Sequence, residues 1–135
     1  MPEDTILIID DEPMIRHLAA RILDRAGFRT ISAANGVQGL ARFRRERPAL
    51  VITDLIMPER EGIETIRYIR REGANIPIIA ISGGTLTGTA DFLAMARELG
   101  ATAILRKPFE PIELLRLVER CLRDEPVTGR AHLAD

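Results

Sequence analysis

Four apolar runs in this sequence end in polar residues of types that do chemistry. The run ILII ends at Asp10 and Asp11, LVIT at Asp54, IIAI at Ser82 and ILR at Lys107. Lys107 is the only lysine beside eighteen arginines, which indicates a role that arginine's broad guanidinium could not fill, or else a simple bias toward arginine. Together these side chains describe an aspartate that accepts a phosphoryl group in a metal site.

The chemistry of such a site requires a cation. Carboxylates gathered at one place repel each other unless a positive charge lies among them. Because the ligands are oxygen atoms with no histidine or cysteine nearby in sequence, a hard ion such as Mg²⁺ is favoured. An ammonium from Lys107 and a hydroxyl from Ser82 would complete the set. Each residue alone could be an ordinary helix cap or strand end, but the four sites together argue against that reading.

The elements that must position these residues alternate between strand and helix patterns. Short apolar, mostly β-branched runs predict buried strands, and apolar residues at helical spacing predict the helices between them. The predicted strands cover residues 5–9, 28–33, 49–53, 76–81 and 102–105. The predicted helices begin near Pro13 and cover residues 13–26, 37–47, 63–71, 91–99 and 111–123.

This alternation predicts an α/β fold with a doubly wound, five-stranded parallel sheet and helices on both faces. Ligands of such sheets bind beyond the carboxyl ends of the strands. All of the polar residues singled out above follow strands at that edge. We therefore expect them to meet in one site.

Length and composition exclude several classes of protein. A chain of 135 residues makes one domain, and 19 Lys plus Arg against 20 Asp plus Glu give no positive field for direct nucleic-acid binding. The single cysteine, Cys121, cannot form an internal disulfide and continues an apolar helix face. No apolar run approaches the roughly 20 residues needed to cross a membrane. We expect a cytoplasmic protein that does not act at a membrane.

The order of these motifs closely resembles the receiver domain of bacterial two-component response regulators. The acidic pair matches Asp10 and Asp11, the phosphoacceptor matches Asp54, the hydroxyl residue matches Ser82, and the lysine followed by proline matches Lys107. The segment LIMPEREGIE at 55–64 resembles the family's loop and third helix, with Met57, Pro58 and Gly62 in place. The resemblance runs from about residue 5 to residue 123. It predicts a receiver domain at 1–123 and a short tail at 124–135.

By this resemblance the fold is flavodoxin-like, a (βα)5 receiver with strand order 2-1-3-4-5. Asp54 would accept the phosphoryl group from a phosphohistidine on a sensor histidine kinase, and Lys107 would pair with the phosphoryl oxygens. Mg²⁺ would be held by Asp11, Asp54 and the backbone carbonyl of Ile56, with Asp10 acting through a bound water. Ser82 would move inward to bond the phosphoryl group. The domain would signal rather than act as an enzyme on other substrates.

The resemblance leaves the partners open. The phosphorylated domain could bind a downstream protein, which we favour, or pass phosphate to a histidine phosphotransfer protein. The short tail leaves no room for a DNA-binding module, so the chain is either stand-alone or excised. Phosphorylation-dependent homodimers of such domains use the last strand and the last two helices. Four residues lie in those segments: Phe92, Arg97, Arg106 and Glu113.

The sequence departs from the family pattern at two places. The aromatic residue expected three positions before the lysine is Ile104, which puts coupling through an aromatic rotamer in doubt. The glycine-rich loop at 83–88 is longer than usual and is either an output surface or a plain connection. Two rivals remain: a phosphorylation-independent interaction domain, and a phosphohydrolase of the haloacid dehalogenase type. The latter needs an aspartate two residues after its nucleophile, where this chain has Glu12 or Ile56.

Overall fold

In the computed structural model of this chain, the structure describes residues 4–55, 61–72, 75–83, 94, 98, 100–123 and 131–133. The strands are β1 (Thr5–Ile9), β2 (Arg29–Ala33), β3 (Leu50–Asp54), β4 (Ile78–Gly83), β5 (Ala103–Lys107) and β6 (Ala131–Leu133). The helices with described bounds are α1 (Pro13–Arg25), α2 (Gly36–Glu46), α3 (Glu61–Arg71) and α4 (Pro111–Arg123). None of these helices is long and apolar enough to span a membrane.

The sheet has the strand order β2-β1-β3-β4-β5-β6. The first five strands pair in parallel, which confirms the predicted doubly wound order 2-1-3-4-5. β6 is an addition that the sequence did not predict, because three residues are too few to show a strand pattern. It pairs antiparallel with β5 and so covers a strand that would otherwise be the edge of the sheet.

Three strands end later than their apolar runs. β3 includes Asp54, β4 continues through Ser82 to Gly83, and β5 ends at Lys107. The paired positions are Asp54 with Ile81, Ser82 with Arg106 and Gly83 with Lys107. Backbone pairing does not require an apolar side chain, so the ladders continue into the polar residues. The backbone positions of Asp54, Ser82 and Lys107 are therefore fixed by the sheet itself.

Apolar side chains form one core on each face of the sheet. On one face, α1 and α4 pack against the sheet through Leu23 and Leu117, and Cys121 is buried there as predicted. On the other face, α2 and α3 pack through Phe43 and Ile66. The inner strands β1, β3 and β4 are buried almost throughout, as expected for a sheet covered on both sides.

The helices begin and end close to their predicted limits. Pro13 is the first residue of α1, and Asn35 caps α2 by accepting a hydrogen bond from the Gln38 amide at 2.9 Å. Most of the helix predicted at 91–99 lies outside the described residues, although Ala94 and Glu98 are helical. The predicted loop at 83–88 also lies outside them, apart from Gly83.

Candidate functional site

The carboxyl edge of the sheet brings together four of the side chains that the sequence singled out. Asp10 follows β1, Asp54 ends β3 and Lys107 ends β5, with Asp11 beside Asp10. The Lys107 Nζ lies 3.1 Å from Asp54 Oδ2 and 3.7 Å from Asp10 Oδ2. Asp54 is only 3% exposed and Asp10 only 1%. One ammonium thus pairs with two buried carboxylates, one at the end of β3 and one just after β1.

Four acidic residues surround a space that suits a cation. One carboxylate oxygen from each of Asp10, Asp11, Glu12 and Asp54 lies within 4.8 Å of the others. Asp10 Oδ2 is buried and has no hydrogen-bond partner among the described residues. Because carboxylate oxygens are the donors that Mg²⁺ prefers, this set fits a hard divalent cation. The carbonyl predicted as a further ligand, on Ile56, lies outside the described residues.

Asp10 is held by its neighbours at three points. Its Oδ1 accepts the Glu12 amide at 2.9 Å, its backbone oxygen accepts Arg16 Nη1 at 2.7 Å, and its amide donates to the Ala33 carbonyl. The pKa of Asp10 is raised from 3.8 to about 6, mainly by burial. The charges of Asp54 and Glu12 also raise it, while the hydrogen bond from the Glu12 amide and the charge of Lys107 lower it. The carboxylate is oriented, but its charge is costly without a cation.

Lys107 is the positive centre of the cluster. Burial lowers the pKa of its ammonium, but the carboxylates of Asp54, Asp10 and Glu12 together outweigh burial and raise the pKa above its ordinary value. The side chain remains 20% exposed. Lys107 is therefore a permanent cation that an approaching anion can still reach.

Glu12 is the site residue that the sequence analysis did not assign. Its Oε1 lies 3.2 Å from Lys107 Nζ, and the side chain is 59% exposed. The available signal was the run of three consecutive acids after a buried strand. Glu12 resembled an ordinary residue before a helix, because such positions often carry acidic side chains.

Ser82 presents a hydroxyl that is buried and unused. The residue is 0% exposed, and its Oγ has no hydrogen-bond partner in the part of the chain that the structure covers. Buried hydroxyls normally find a partner, so this one is available to a group that enters the site. Ser82 directly follows Ile81, the residue that pairs with Asp54 across β3 and β4.

Gly62 fixes the backbone beneath Asp54. A Cβ atom at Gly62 would lie 1.8 Å from the Asp54 carbonyl oxygen, so α3 approaches this strand more closely than any residue with a side chain would permit. The resemblance placed Gly62 in the family pattern, but only the structure gives the reason for the glycine.

A mostly apolar groove of about 460 Å³ lies beside the cluster. It is lined by Ile15, Leu18, Gly83, Lys107, Pro108 and Phe109. Met14, which precedes Ile15 on α1, is 83% exposed, and Ile112 on α4 is 49% exposed. Such apolar surface is typical of a site for another protein.

The remaining predicted residues have separate locations. Ile104 is 2% exposed in the core beneath α2 and α3. Arg106 lies on β5, and Glu113 on α4 accepts the Glu110 amide at 2.7 Å. Phe92 and Arg97 lie outside the described residues, so the predicted dimer face is only partly placed.

Comparisons with known proteins give a consistent result. The family model of the response regulator receiver domain matches residues 6–119. Sporulation initiation phosphotransferase F of Bacillus subtilis is 35% identical, and the alignment covers 90% of this chain and 96% of that protein. A probable transcriptional regulator, ycf27 of Porphyridium aerugineum, is 38% identical over 91% of this chain and 50% of its own length. This chain spans about half the length of most of the curated relatives described as transcriptional regulators.

Solved structures agree with the sequence matches. The chemotaxis response regulator CheY4 of Vibrio cholerae superposes with a TM-score of 0.80 at 28% identity, covering 89% of this chain and 99% of that chain. A CheY-like receiver domain protein of Methanospirillum hungatei gives a TM-score of 0.81 at 26% identity, covering 91% and 96%. The similarity extends over nearly the whole chain.

Proposed function

Because this chain belongs to the response regulator receiver domain family, we propose that Asp54 accepts a phosphoryl group from a phosphohistidine of a sensor histidine kinase. Receiver domains are signalling domains, and phosphorylation on an aspartate is general in the family. One observation carries the proposal for this residue: the buried Asp54 carboxylate lies 3.1 Å from the ammonium of the chain's only lysine.

In the reaction, a carboxylate oxygen of Asp54 attacks the phosphorus atom while the phosphorus–nitrogen bond of the donor breaks. The bonding pair leaves with the imidazole nitrogen, and an acyl phosphate forms. Lys107 pairs with the phosphoryl oxygens, on which negative charge accumulates. The Ser82 hydroxyl donates to one of these oxygens and thereby gains the partner that it lacks.

A divalent cation belongs in the same site. Receiver domains bind Mg²⁺ at an acidic pocket, and the cluster of Asp10, Asp11, Glu12 and Asp54 is the matching feature of this chain. Asp11, Asp54 and the carbonyl of Ile56 would hold the ion, with Asp10 contributing through a bound water. When bound, the ion neutralises charge on the transferring phosphoryl group.

Phosphorylation then acts as a switch. A new dianion at Asp54 draws Ser82 inward and changes the surface that follows β4, which a downstream protein would read. We take residues 1–123 as the receiver domain and 124–135 as its tail, and expect its partners in the cytoplasm. A phosphorylation-dependent homodimer is a second outcome of the same switch. Because Ile104 is a buried aliphatic residue, this chain would switch without an aromatic rotamer.

A phosphate shuttle is the alternative function. In it, the phosphoryl group would pass from Asp54 to a histidine phosphotransfer protein. The match to sporulation initiation phosphotransferase F over 96% of that protein supports this alternative. So does Ile104, since transfer needs the acceptor chemistry but no aromatic switch.

The test is the intact mass of the protein after incubation with acetyl phosphate and Mg²⁺. We expect one phosphate on the wild-type protein, none on Asp54→Asn, and none in EDTA. Labelling of Asp54→Asn to the same extent would contradict the assignment. Adding an aryl phosphate tests the phosphohydrolase alternative, because many turnovers per protein would identify an enzyme rather than a signalling domain.

A further inference from the structure

The Glu12 carboxylate contacts a residue distant in sequence rather than its own helix. Glu12 occupies the N-cap position of α1, but among the described residues its side chain makes no capping hydrogen bond. Asn, Asp, Ser and Thr are the side chains that commonly accept the first backbone amides from this position, and the longer Glu is not one of them. The Glu12 carboxylate instead lies 3.2 Å from Lys107 Nζ, on a residue 95 positions away in sequence.

The contact places Glu12 in competition with the phosphoryl group. The hydrogen bonds of Lys107 go to Asp54 Oδ2 and Glu12 Oε1, while Asp10 Oδ2 lies farther away at 3.7 Å. A phosphoryl group on Asp54 takes over the Asp54 contact and adds negative charge beside Glu12. Because like charges repel, the Glu12 carboxylate destabilises the phosphorylated state of Asp54.

We propose that Glu12 is the resting counter-ion of Lys107, which the incoming phosphoryl group must displace, and that Glu12 thereby restrains phosphorylation at Asp54. This inference rests on the proposed function. The exposure of Glu12 allows this displacement. Its side chain is 59% exposed and can turn into solvent, whereas Asp10 and Asp54 are buried. Glu12 is a regulatory residue here and does not join the transfer itself.

A different role for Glu12 would have the opposite effect. Since the Glu12 carboxylate also lies within the acidic cluster, it could bind the cation rather than pair with Lys107. Removing a cation ligand slows a cation-dependent reaction, whereas removing a competitor of the phosphoryl group accelerates it. The sign of the rate change therefore separates the two roles.

The experiment compares rates of phosphorylation by acetyl phosphate at saturating Mg²⁺, followed by intact mass. We expect Glu12→Gln to react about three- to tenfold faster than the wild type, as removal of one nearby charge in a partly solvated site implies. Glu12→Asp keeps the charge but shortens the reach to Lys107, so its rate should fall between the two. Glu119→Gln on α4 is the control for the charge change and should match the wild type.

Two further measurements complete the test. Beryllofluoride, a stable mimic of the phosphoryl group, should bind Glu12→Gln more tightly by a similar factor. Calorimetric titration with Mg²⁺ alone should show that Glu12→Gln binds the ion at most about threefold more weakly than the wild type. This small loss is expected because the cluster then carries one negative charge fewer.

The outcomes are distinct. Equal rates for the wild type and Glu12→Gln would overturn the inference and leave the proposed function standing. A slower Glu12→Gln with Mg²⁺ affinity reduced tenfold or more would also overturn it and assign Glu12 to the cation. No phosphate on any variant, wild type included, would overturn the proposed function together with the inference.

Discussion

At the residue scale, the energetics of the site depend on Asp10. Its carboxyl is 1% exposed, and one of its oxygens has no hydrogen-bond partner among the described residues. Its pKa of about 6 in the folded protein exceeds the ordinary value of 3.8. At a pH between these two pKa values, the folded protein therefore holds a proton on Asp10 that the unfolded chain has already lost. The free energy of unfolding must fall as the pH rises through this window.

We expect Asp10→Asn to be more stable than the wild type at pH 7 in EDTA, by about 1–3 kcal/mol for a pKa difference of this size. The difference should be small near pH 4, where the wild-type carboxyl is protonated in the folded state. Urea unfolding at several pH values between 4 and 7.5 measures it. If the difference in the free energy of unfolding between the two proteins stays constant over this pH range, the raised pKa does not belong to Asp10.

Gly62 lies in the first turn of α3, against the backbone of Asp54. Replacing glycine by alanine inside a helix normally stabilises it by roughly 1 kcal/mol. At Gly62 the new Cβ would lie 1.8 Å from the Asp54 carbonyl oxygen, so the backbone must move. We expect Gly62→Ala to lower the free energy of unfolding by about 1–3 kcal/mol or more and to reduce phosphorylation.

The control for this variant is Gly83→Ala, whose new Cβ would have, among the described residues, only Lys107 Cδ nearby, at 4.0 Å. Its free energy of unfolding should change by less than about 1 kcal/mol. If Gly62→Ala proves as stable as Gly83→Ala, α3 can shift away from Asp54 at little cost.

The residues of the site differ in how far the sequence could predict them. Asp54 and Lys107 could be predicted because parallel strands bring their carboxyl ends to one edge, so position in the chain gives position in space. Glu12 could not, because its contact with Lys107 depends on a side-chain rotamer. Gly62 carries no chemistry, and its role depends on a distance between a helix and a strand.

At the element scale, Arg70 ties α3 to the beginnings of two strands. Its Nη1 donates to the Ile76 carbonyl at 2.7 Å and its Nε to the Gly100 carbonyl at 2.8 Å. Its Nη2 reaches Thr102 Oγ1 at 3.3 Å, and the same oxygen accepts the Ile78 amide. One guanidinium thus joins the segment that enters β4, six residues farther along the chain, to the segment that enters β5, 30 to 32 residues farther along.

We expect Arg70→Lys to lower the free energy of unfolding by about 1–3 kcal/mol, because an ammonium cannot match a planar fork with several acceptors. Arg67→Lys on the exposed side of the same helix is the matched control and should change stability by no more than about 0.5 kcal/mol. Urea unfolding of both variants checks this. Equal effects would mean that the three contacts of Arg70 are not maintained in solution.

The ends of the strands, like the contacts of Arg70, depend on segments that are distant in sequence. The strands could be located from their apolar runs, but β3, β4 and β5 continue past those runs into Asp54, Gly83 and Lys107. Strand length follows from backbone pairing with the neighbouring strand, which a single segment does not reveal. β6 could not be predicted for the same reason, since it exists only against β5.

At the scale of the whole molecule, the net charge of −1 conceals a strong local imbalance. Four carboxylates and one ammonium meet at one edge of the sheet. A cation that binds only the folded protein stabilises it by mass action. Mg²⁺ should therefore act on the stability of the entire domain.

We expect the Tm to rise by several degrees when Mg²⁺ reaches about ten times its dissociation constant, which corresponds to about 1.4 kcal/mol. EDTA should reverse the shift, and NaCl of equal ionic strength should not reproduce it. Asp11→Asn should weaken the response. A Tm that is unchanged by millimolar Mg²⁺ would indicate that the cluster does not hold the ion.

The single lysine has a practical consequence for spectroscopy. Since Lys107 is the only lysine of the chain and lies between Asp10, Glu12 and Asp54, protein grown with isotope-labelled lysine carries its side-chain label at this site alone. The Cε and Nζ resonances of one residue would then report directly on what the ammonium contacts. The chain thus carries its own reporter for every state of the site, with no added probe and no crowded spectrum to assign.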